Sequence, residues 1–263
     1  MKQPLANIHP DAKIADNVVI EPFATIQGDV VIEEGSWIGP SAVIMDGSRI
    51  GKSCNIFPGA VVAAIPQDLK FVGEKTTVEI GDNTNIREYV TISRGTKAKM
   101  KTVIGSNCLI MAYSHVAHDC IIGNNCILVN GVQLGGEVEV DDWAILAGTV
   151  VVHQFVRIGK HVFMAGRSGA LTDVPPYAKV AGVPCDFIGL NAVGLRRRGF
   201  TSEKVSEIQE IYRIIYQKGM NNSQALEHIE ESIPQSEERD EILNFFKNSK
   251  RGVINARKGD IQF

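Results

Sequence analysis

The stretch Ile8-His9-Pro10-Asp11-Ala12-Lys13-Ile14-Ala15-Asp16-Asn17-Val18-Val19-Ile20 places a large aliphatic residue at every sixth position, and this spacing decides how the chain folds. The beat continues through Ile26, Ile32, Ile38, Ile44, Ile50, Ile56 and Val62. After an interruption Ile80, Ile86 and Ile92 return in phase, and after a second one so do Ile104, Ile110, Val116, Ile122, Leu128, Leu134, Val140, Leu146, Val152, Ile158 and Met164. Four residues after each of these the slot is usually small, as at Ala12, Ala24, Ser36, Ala42, Ser48 and Ala60. A period of six fits neither a 3.6-residue helix nor a period-two strand. It fits a parallel β-helix of hexapeptide repeats, in which three short strands and three corners close one coil of eighteen residues. The large residue points inward and stacks on its counterpart one coil away. Coils spaced by about 4.8 Å would make the eight coils implied here a column of roughly 40 Å.

The chain has 263 residues, 44% apolar and 22% charged, with a net charge of -3, enough for one large domain and a smaller one. This composition excludes disorder and collagen. No run of about 18 apolar residues is present, so no integral membrane segment is expected. The slightly acidic balance argues against a nucleic-acid partner, because there is no surplus of Lys and Arg to displace counterions. Met1-Lys2-Gln3-Pro4-Leu5 lacks the apolar stretch of a signal peptide, so a cytoplasmic protein is expected.

Four of the five cysteines, Cys54, Cys108, Cys120 and Cys126, occupy the small slot and are expected to be compact core fillers. Cys185 lies outside the pattern, and no C-x-x-C spacing is present. Gly39, Gly51, Asn83, Gly105, Gly123, Asn125 and Gly159 fall near corners, where unusual backbone angles are expected.

The pattern lapses twice. Between Val62 and Ile80, Asp68 and Glu74 stand where core aliphatics belong, so residues 63–76 must loop out. A second projection over residues 93–102 carries Arg94, Lys97, Lys99 and Lys101. Loops leaving a rigid scaffold are where function concentrates. After Pro184 the period becomes helical: Ser202 can cap a helix whose Val205, Ile208, Ile211, Tyr212 and Ile215 share a face, ended by Gly219. Two further short helices are expected over 223–232 and 237–247. The reading is thus a β-helix over 1–186 and a helical domain over 187–263.

His115, His118, His153 and His161 cluster on the later coils, whereas His9 and His228 are isolated and expected to be solvated. His118, Gly136 and Gln154 are spaced by eighteen residues and therefore stack on successive coils. The segment His115-Val116-Ala117-His118-Asp119-Cys120 offers an imidazole base with a carboxylate beside it. A surface hydrogen bond without chemistry is the competing reading of the pair. No G-x-S-x-G elbow is present and the cysteines are committed to packing, so direct attack by a substrate hydroxyl or amine fits better than a covalent enzyme intermediate. A zinc site made by His115, His118 and His153 between subunits is a weaker alternative, because Asp119 suits a base.

Gln67-Asp68-Leu69-Lys70, Arg94-Gly95-Thr96, the His118 segment, Val152-His153-Gln154-Phe155, Asp173-Val174-Pro175-Pro176-Tyr177 and Gly194-Leu195-Arg196-Arg197-Arg198-Gly199-Phe200 together resemble the bacterial UDP-N-acetylglucosamine O-acyltransferases that begin lipid A synthesis. The resemblance spans most of the chain. It implies a left-handed β-helix, a homotrimer, no cofactor, no metal, and two substrates: a 3-hydroxyacyl chain on acyl carrier protein, and UDP-N-acetylglucosamine. It further implies His118 as general base on the sugar 3-hydroxyl, Asp119 as its orienting partner and the Gly136 N–H as oxyanion donor. Asp68, Lys70, His115, His153 and Gln154 would line the sugar-nucleotide site. Asn191, Arg197 and Arg198 would meet uridine and diphosphate, a role suited to the planar guanidinium fork. Gly166 matches the position that limits acyl length in the family, and Phe163 is expected to narrow the groove elsewhere. Lys97, Lys99, Lys101, Arg157, Lys160 and the arginine run are candidate contacts for the acidic carrier protein. The sequence departs from the family pattern at Ser93 and Glu137, where histidines often stand. Three other readings compete: the later N-acyltransferase of the same pathway, an acetyl-CoA acetyltransferase, and a non-catalytic structural or metal-storing trimer. The N-acyltransferase normally carries an extra N-terminal domain, whereas here hexads begin at Ile8.

Overall fold

A computed structural model describes residues 4–256; Met1–Gln3 of the leader reading and residues 257–263 of the expected helical domain lie outside it. The strands are two to six residues long and fall into three sheets of nine, eight and ten among the described residues. Each sheet takes every third strand, so the three form the sides of a triangular prism. As far as Gly169–Ala170 the registers are parallel and, away from the two loops, repeat at eighteen residues, as in His115↔Gln133 and Gln133↔Val151. Eight full coils run to Met164, as the period predicts, and the rung Gly169–Ala170 begins a ninth. Side 1 carries His115–Val116, side 2 Ile121–Ile122 and side 3 Ile127–Leu128.

The aliphatics of the sixfold beat fill the prism: Ile20, Ile38, Ile44, Ile56, Ile92 and Leu146 have no exposed surface. Each such side chain contributes about 1.5–3 kcal/mol by leaving water. Ile8 and Ile14, on the first coil with nothing stacked beneath, are only partly buried. The small slot does more than save space. Ser36, Cys54, Thr84, Cys108 and Cys126 form a column at the corner between sides 2 and 3, each donating to a carbonyl of the next coil. The Cys54, Cys108 and Cys126 thiols reach Gly81, Gly123 and Asp141 at 3.1–3.2 Å.

The corner glycines correct the expectation from turn chemistry. Asn83 and Asn125 do adopt positive φ, at 57° and 58°, but Gly39, Gly51, Gly105, Gly123 and Gly159 do not. Those glycines are needed for close approach: a Cβ on Gly123 would lie 2.3 Å from Asp142 Oδ1, which accepts the N–H of Asn124. Most left-handed corner positions are taken by larger residues, among them Asp119 at φ 59° and Glu137 at φ 60°, with Gly35, Gly47, Gly59 and Gly131 at others.

Both interruptions loop out where expected, between Val61–Ala64 and Thr77–Ile80 and between Thr91–Ser93 and Lys101–Ile104. Both leave the same corner, between sides 1 and 2. The prism side itself runs past residue 186: strand Cys185–Leu190 pairs antiparallel with Ala178–Gly182, which lies parallel on Phe163–Met164. The expected division at 186 falls inside that strand, because the change of period at Pro184 marks a turn between two strands rather than the start of a helix.

Four helices follow among the described residues: α1 (Ala192–Arg197), α2 (Ser202–Gln217), α3 (Asn222–Ser232) and α4 (Glu237–Lys247). The short α1, which contains Gly194, was not legible in the period. Thr201, not Ser202, caps α2: its backbone is extended and its hydroxyl accepts from the Lys204 N–H. The buried face of α2 includes the five predicted residues and Ile214. Asn221 and Gln224 form a capping box on α3. Helix α4 and the residues just after it fold back on the prism, with Val253 bridging Asp173 and Arg157 lying 4.5 Å over the Phe245 ring.

Candidate active site

His118 and Asp119 sit in the turn between sides 1 and 2, directly above the loop that ends at Met100. Asp119 is fully buried and accepts at 2.8 Å from His118 Nδ1. An ionised carboxylate can only accept, so this contact assigns the His118 proton to Nδ1 and leaves Nε2 as the basic nitrogen. His118 keeps 19% of its side-chain surface exposed, and Nε2 lies 4.0 Å from Asp68 Oδ2 on the first projecting loop. The two loops thus serve one corner: the first brings Asp68 to Nε2, and the second encloses Asp119.

Gly136, one coil above, rests against the imidazole; a Cβ there would lie 2.6 Å from both Cε1 and Nε2 of His118. Its N–H has no acceptor among the described residues. His115 Nδ1 is 2.7 Å from Thr91 Oγ1, and burial lowers the His115 pKa below the ordinary imidazole value, so it is neutral at physiological pH. Among the described residues no group of three or more His, Cys, Asp or Glu could hold a metal.

The remaining predicted residues lie elsewhere. His153 and Gln154 are exposed two coils above the dyad, His153 Nδ1–H donating to the Gln154 carbonyl at 3.1 Å. Lys70 is exposed, and its N–H donates to Asp68 Oδ1 at 2.9 Å. Asn191, Arg197 and Arg198 belong to the corner between sides 2 and 3. Asn191 Nδ2 donates to the His161 carbonyl, and its Oδ1 accepts from Gly194. Arg198 lies 5.3 Å over the Trp143 ring, and one of its nitrogens is 3.3 Å from His161 Nδ1. Arg197 is exposed. Gly166 is exposed at the corner between sides 3 and 1, above Gly148, whose carbonyl would be 3.4 Å from a Gly166 Cβ. Phe163 is half-buried on side 3. Ser93 is buried in its strand, and Glu137 is half-buried beside Gly136.

Sequence reasoning gave no role to four contributors. Thr96 was quoted only as part of Arg94-Gly95-Thr96, yet its hydroxyl reaches Asp119. Gly148 carried one signal, its spacing of eighteen from Gly166. Trp143 and His161, stacked with ring centroids 6.2 Å apart, hold Arg198, and no local motif announces them. Burial and the neighbouring Arg198 and Lys160 charges lower the His161 pKa to about 4. A groove of about 890 Å³ lies by the first coils beside Glu74, Thr76 and Arg94, and His118 is not in its lining.

Three stacked sides of hexads, with a helical extension and at one corner a part-exposed histidine on a buried aspartate, define a hexapeptide-repeat acyltransferase of the left-handed parallel β-helix class. Residues 29–64 and 101–136 match the bacterial transferase hexapeptide model, and residues 173–254 match the model of UDP-N-acetylglucosamine O-acyltransferase, domain 2. The acyl-[acyl-carrier-protein]–UDP-N-acetylglucosamine O-acyltransferase of Ectopseudomonas mendocina is 49% identical over 251 residues, covering 95% of this chain and 97% of that one. The solved UDP-N-acetylglucosamine acyltransferase of Bacteroides fragilis superposes with a TM-score of 0.96 at 50% identity, covering 97% of this chain and all of that one. The Francisella novicida enzyme superposes at 0.95 with 40% identity over 98% of this chain and 95% of that one. The chain belongs to the UDP-N-acetylglucosamine O-acyltransferase family.

Proposed function

We propose that this chain transfers a 3-hydroxyacyl group from acyl carrier protein to the 3-hydroxyl of UDP-N-acetylglucosamine, the first step of lipid A synthesis, in the cytoplasm and without a covalent acyl-enzyme. The observation that carries this reading is the His118–Asp119 pair, with Nδ1 committed to a buried carboxylate and Nε2 facing the loop that carries Asp68.

His118 Nε2 takes the proton of the sugar 3-hydroxyl as its oxygen attacks the thioester carbonyl. The tetrahedral oxyanion that forms is held by the N–H of Gly136. Collapse breaks the carbon–sulfur bond, and the imidazolium returns its proton to the departing carrier thiolate. Asp119 stabilises the imidazolium throughout. Asp68, Lys70, His115, His153 and Gln154 bind the sugar nucleotide, and Asn191, Arg197 and Arg198 bind its uridine and diphosphate. Gly166 and Phe163 shape the acyl groove. Cys120, whose thiol is pushed up to about 12 by burial, is no nucleophile.

The dyad, the arginine pair and Gly166 occupy three different corners of one prism. Copies packed side by side bring different corners together, which supports a homotrimer with its sites between subunits. Lys99, Lys101, Arg157 and Lys160 each already face a carboxylate on the same chain. Exposed Lys97, Arg196 and Arg197 have no ion pair among the described residues, so they are the stronger contacts for the acidic carrier protein. Among the described residues no helix is long and apolar enough to cross a membrane.

The test is transfer from a ladder of 3-hydroxyacyl carrier proteins to UDP-N-acetylglucosamine, read by mass spectrometry. A UDP-3-O-acyl product is expected. Transfer only to UDP-3-O-acyl-glucosamine, or only from acetyl-CoA, would overturn the reading.

A further inference from the structure

We propose that Thr96 is a positioning residue for the His118 base, and that the loop between Ser93 and Lys101 forms a cradle for the Asp119 carboxylate. The proposal rests on the reading of His118 as general base. Most corners of this prism turn in four residues, but this one is extended, and the extension closes on Asp119. Thr96 N–H lies 3.0 and 3.1 Å from the two Asp119 oxygens, and Thr96 Oγ1 donates to Oδ2 at 2.6 Å. The Lys99 N–H donates to Oδ1 at 3.0 Å. With His118 on Oδ2, both oxygens are engaged and the carboxylate cannot rotate about χ2 without breaking bonds in a site that water does not reach.

The loop is built for this task. A Cβ on Gly95 would lie 2.3 Å from the Lys101 nitrogen, so only glycine lets the two arms of the loop close. Met100 N–H donates to the Thr96 carbonyl, and Ala98 N–H lies 3.2 Å from Thr96 Oγ1. That tight turn aims the amides of residues 96 and 99 at one point. From the other side Thr102 Oγ1 accepts the N–H of Asp119, fixing its left-handed backbone. The Lys99 ammonium points away, to Glu139 at 2.8 Å. The charged or titratable groups facing His118 are therefore Asp119, Asp68 and His115. Oδ2 is the oxygen that accepts the hydrogen bond from His118 Nδ1–H, and the Thr96 hydroxyl is the side-chain donor that holds that oxygen in place. Thr96 thereby selects the tautomer in which Nε2 is free.

Thr96→Val keeps the shape and both backbone amides but removes the hydroxyl; Thr96→Ser keeps the hydroxyl. The valine variant should lose on the order of tenfold or more in kcat, with KM for both substrates within about twofold of wild type, and serine should restore most of the rate. With ¹⁵N-labelled histidine, the His118 signal, assigned by its loss in His118→Gln, should report a single Nδ1-protonated tautomer in wild type and a mixture in the valine variant. A valine variant with wild-type kcat and one tautomer overturns the proposal, as does an equal loss in valine and serine. The tautomer is read without substrate. A chain that shows the tautomer change yet acylates no UDP-N-acetylglucosamine would therefore refute the proposed reaction and leave this inference standing.

Discussion

Gly136 lies so close above His118 that the imidazole occupies the space its side chain would need, with Nε2 and Cε1 both 2.6 Å from the position of a Cβ. The eighteen-residue coil makes the two neighbours, and glycine lets the neighbourhood be this tight. The same absence of a side chain leaves the Gly136 N–H open to whatever reacts at Nε2. Gly136→Ala should displace the ring and lower kcat on the order of a hundredfold while the melting temperature changes little. Steady-state kinetics beside a thermal melt checks this; unchanged kcat would separate Gly136 from the chemistry.

Removing the base itself discriminates between enzyme and inert scaffold. His118→Ala should abolish transfer with the oligomeric state intact, and Asp119→Asn should cost on the order of 10² or more in kcat, because an amide can present its NH₂ to Nδ1 and favour the wrong tautomer. Size-exclusion chromatography and product mass spectrometry are the readouts. Transfer undiminished in His118→Ala would end the general-base mechanism.

Arg198 is held by Trp143 and His161 rather than by an acid. Trp143→Ala should raise KM for the sugar nucleotide by about two- to thirtyfold, since a cation–π contact is worth roughly 0.5–2 kcal/mol, with kcat retained. A change confined to kcat would contradict a binding role for Arg198.

Stability should respond to pH through the same cluster. The folded His161 pKa, about 4, lies below its unfolded value, about 6.5. Between those values the unfolded chain binds the extra proton, so stability is full above pH 6.5 and falls as pH drops toward 4. Asp141, raised to about 6 by burial, acts in the opposite sense, its contribution fading as pH rises through 6. The difference in melting temperature between wild type and His161→Phe isolates the histidine: it should narrow on acidification from pH 7 to 4, and a constant difference would refute the assignment.

Gly148 and Gly166 form a strip free of side chains at the third corner. Gly166→Met and Gly148→Met should each shift the preferred rung of the acyl ladder to shorter chains. An unchanged preference in both would place the acyl groove elsewhere.

Much of this was legible in the residues themselves. Ile20 to Met164 announced the prism because a repeated fold repeats its core requirement; the first loop was legible because Asp68 and Glu74 cannot occupy a core slot, and the second because the beat lapses over the basic run from Arg94 to Lys101. His118 and Asp119 were legible because they are adjacent. Helix α1 was not, since six residues with a glycine carry too little periodicity. The end of the prism was misplaced, because a strand-to-strand turn and a helix entry both begin with a loss of the sixfold beat.

The sequence by itself determined the coil, its count of eight, the stacking of His118, Gly136 and Gln154, and the small slots, because in a solenoid every contact lies a fixed number of residues away. Only the tertiary structure decided that Thr96 and the Lys99 amide enclose Asp119, that Asp68 faces Nε2, and that Trp143 and His161 hold Arg198. Those contacts run through loops and the helical extension, where the period lapses and separation along the chain no longer tells which residues meet.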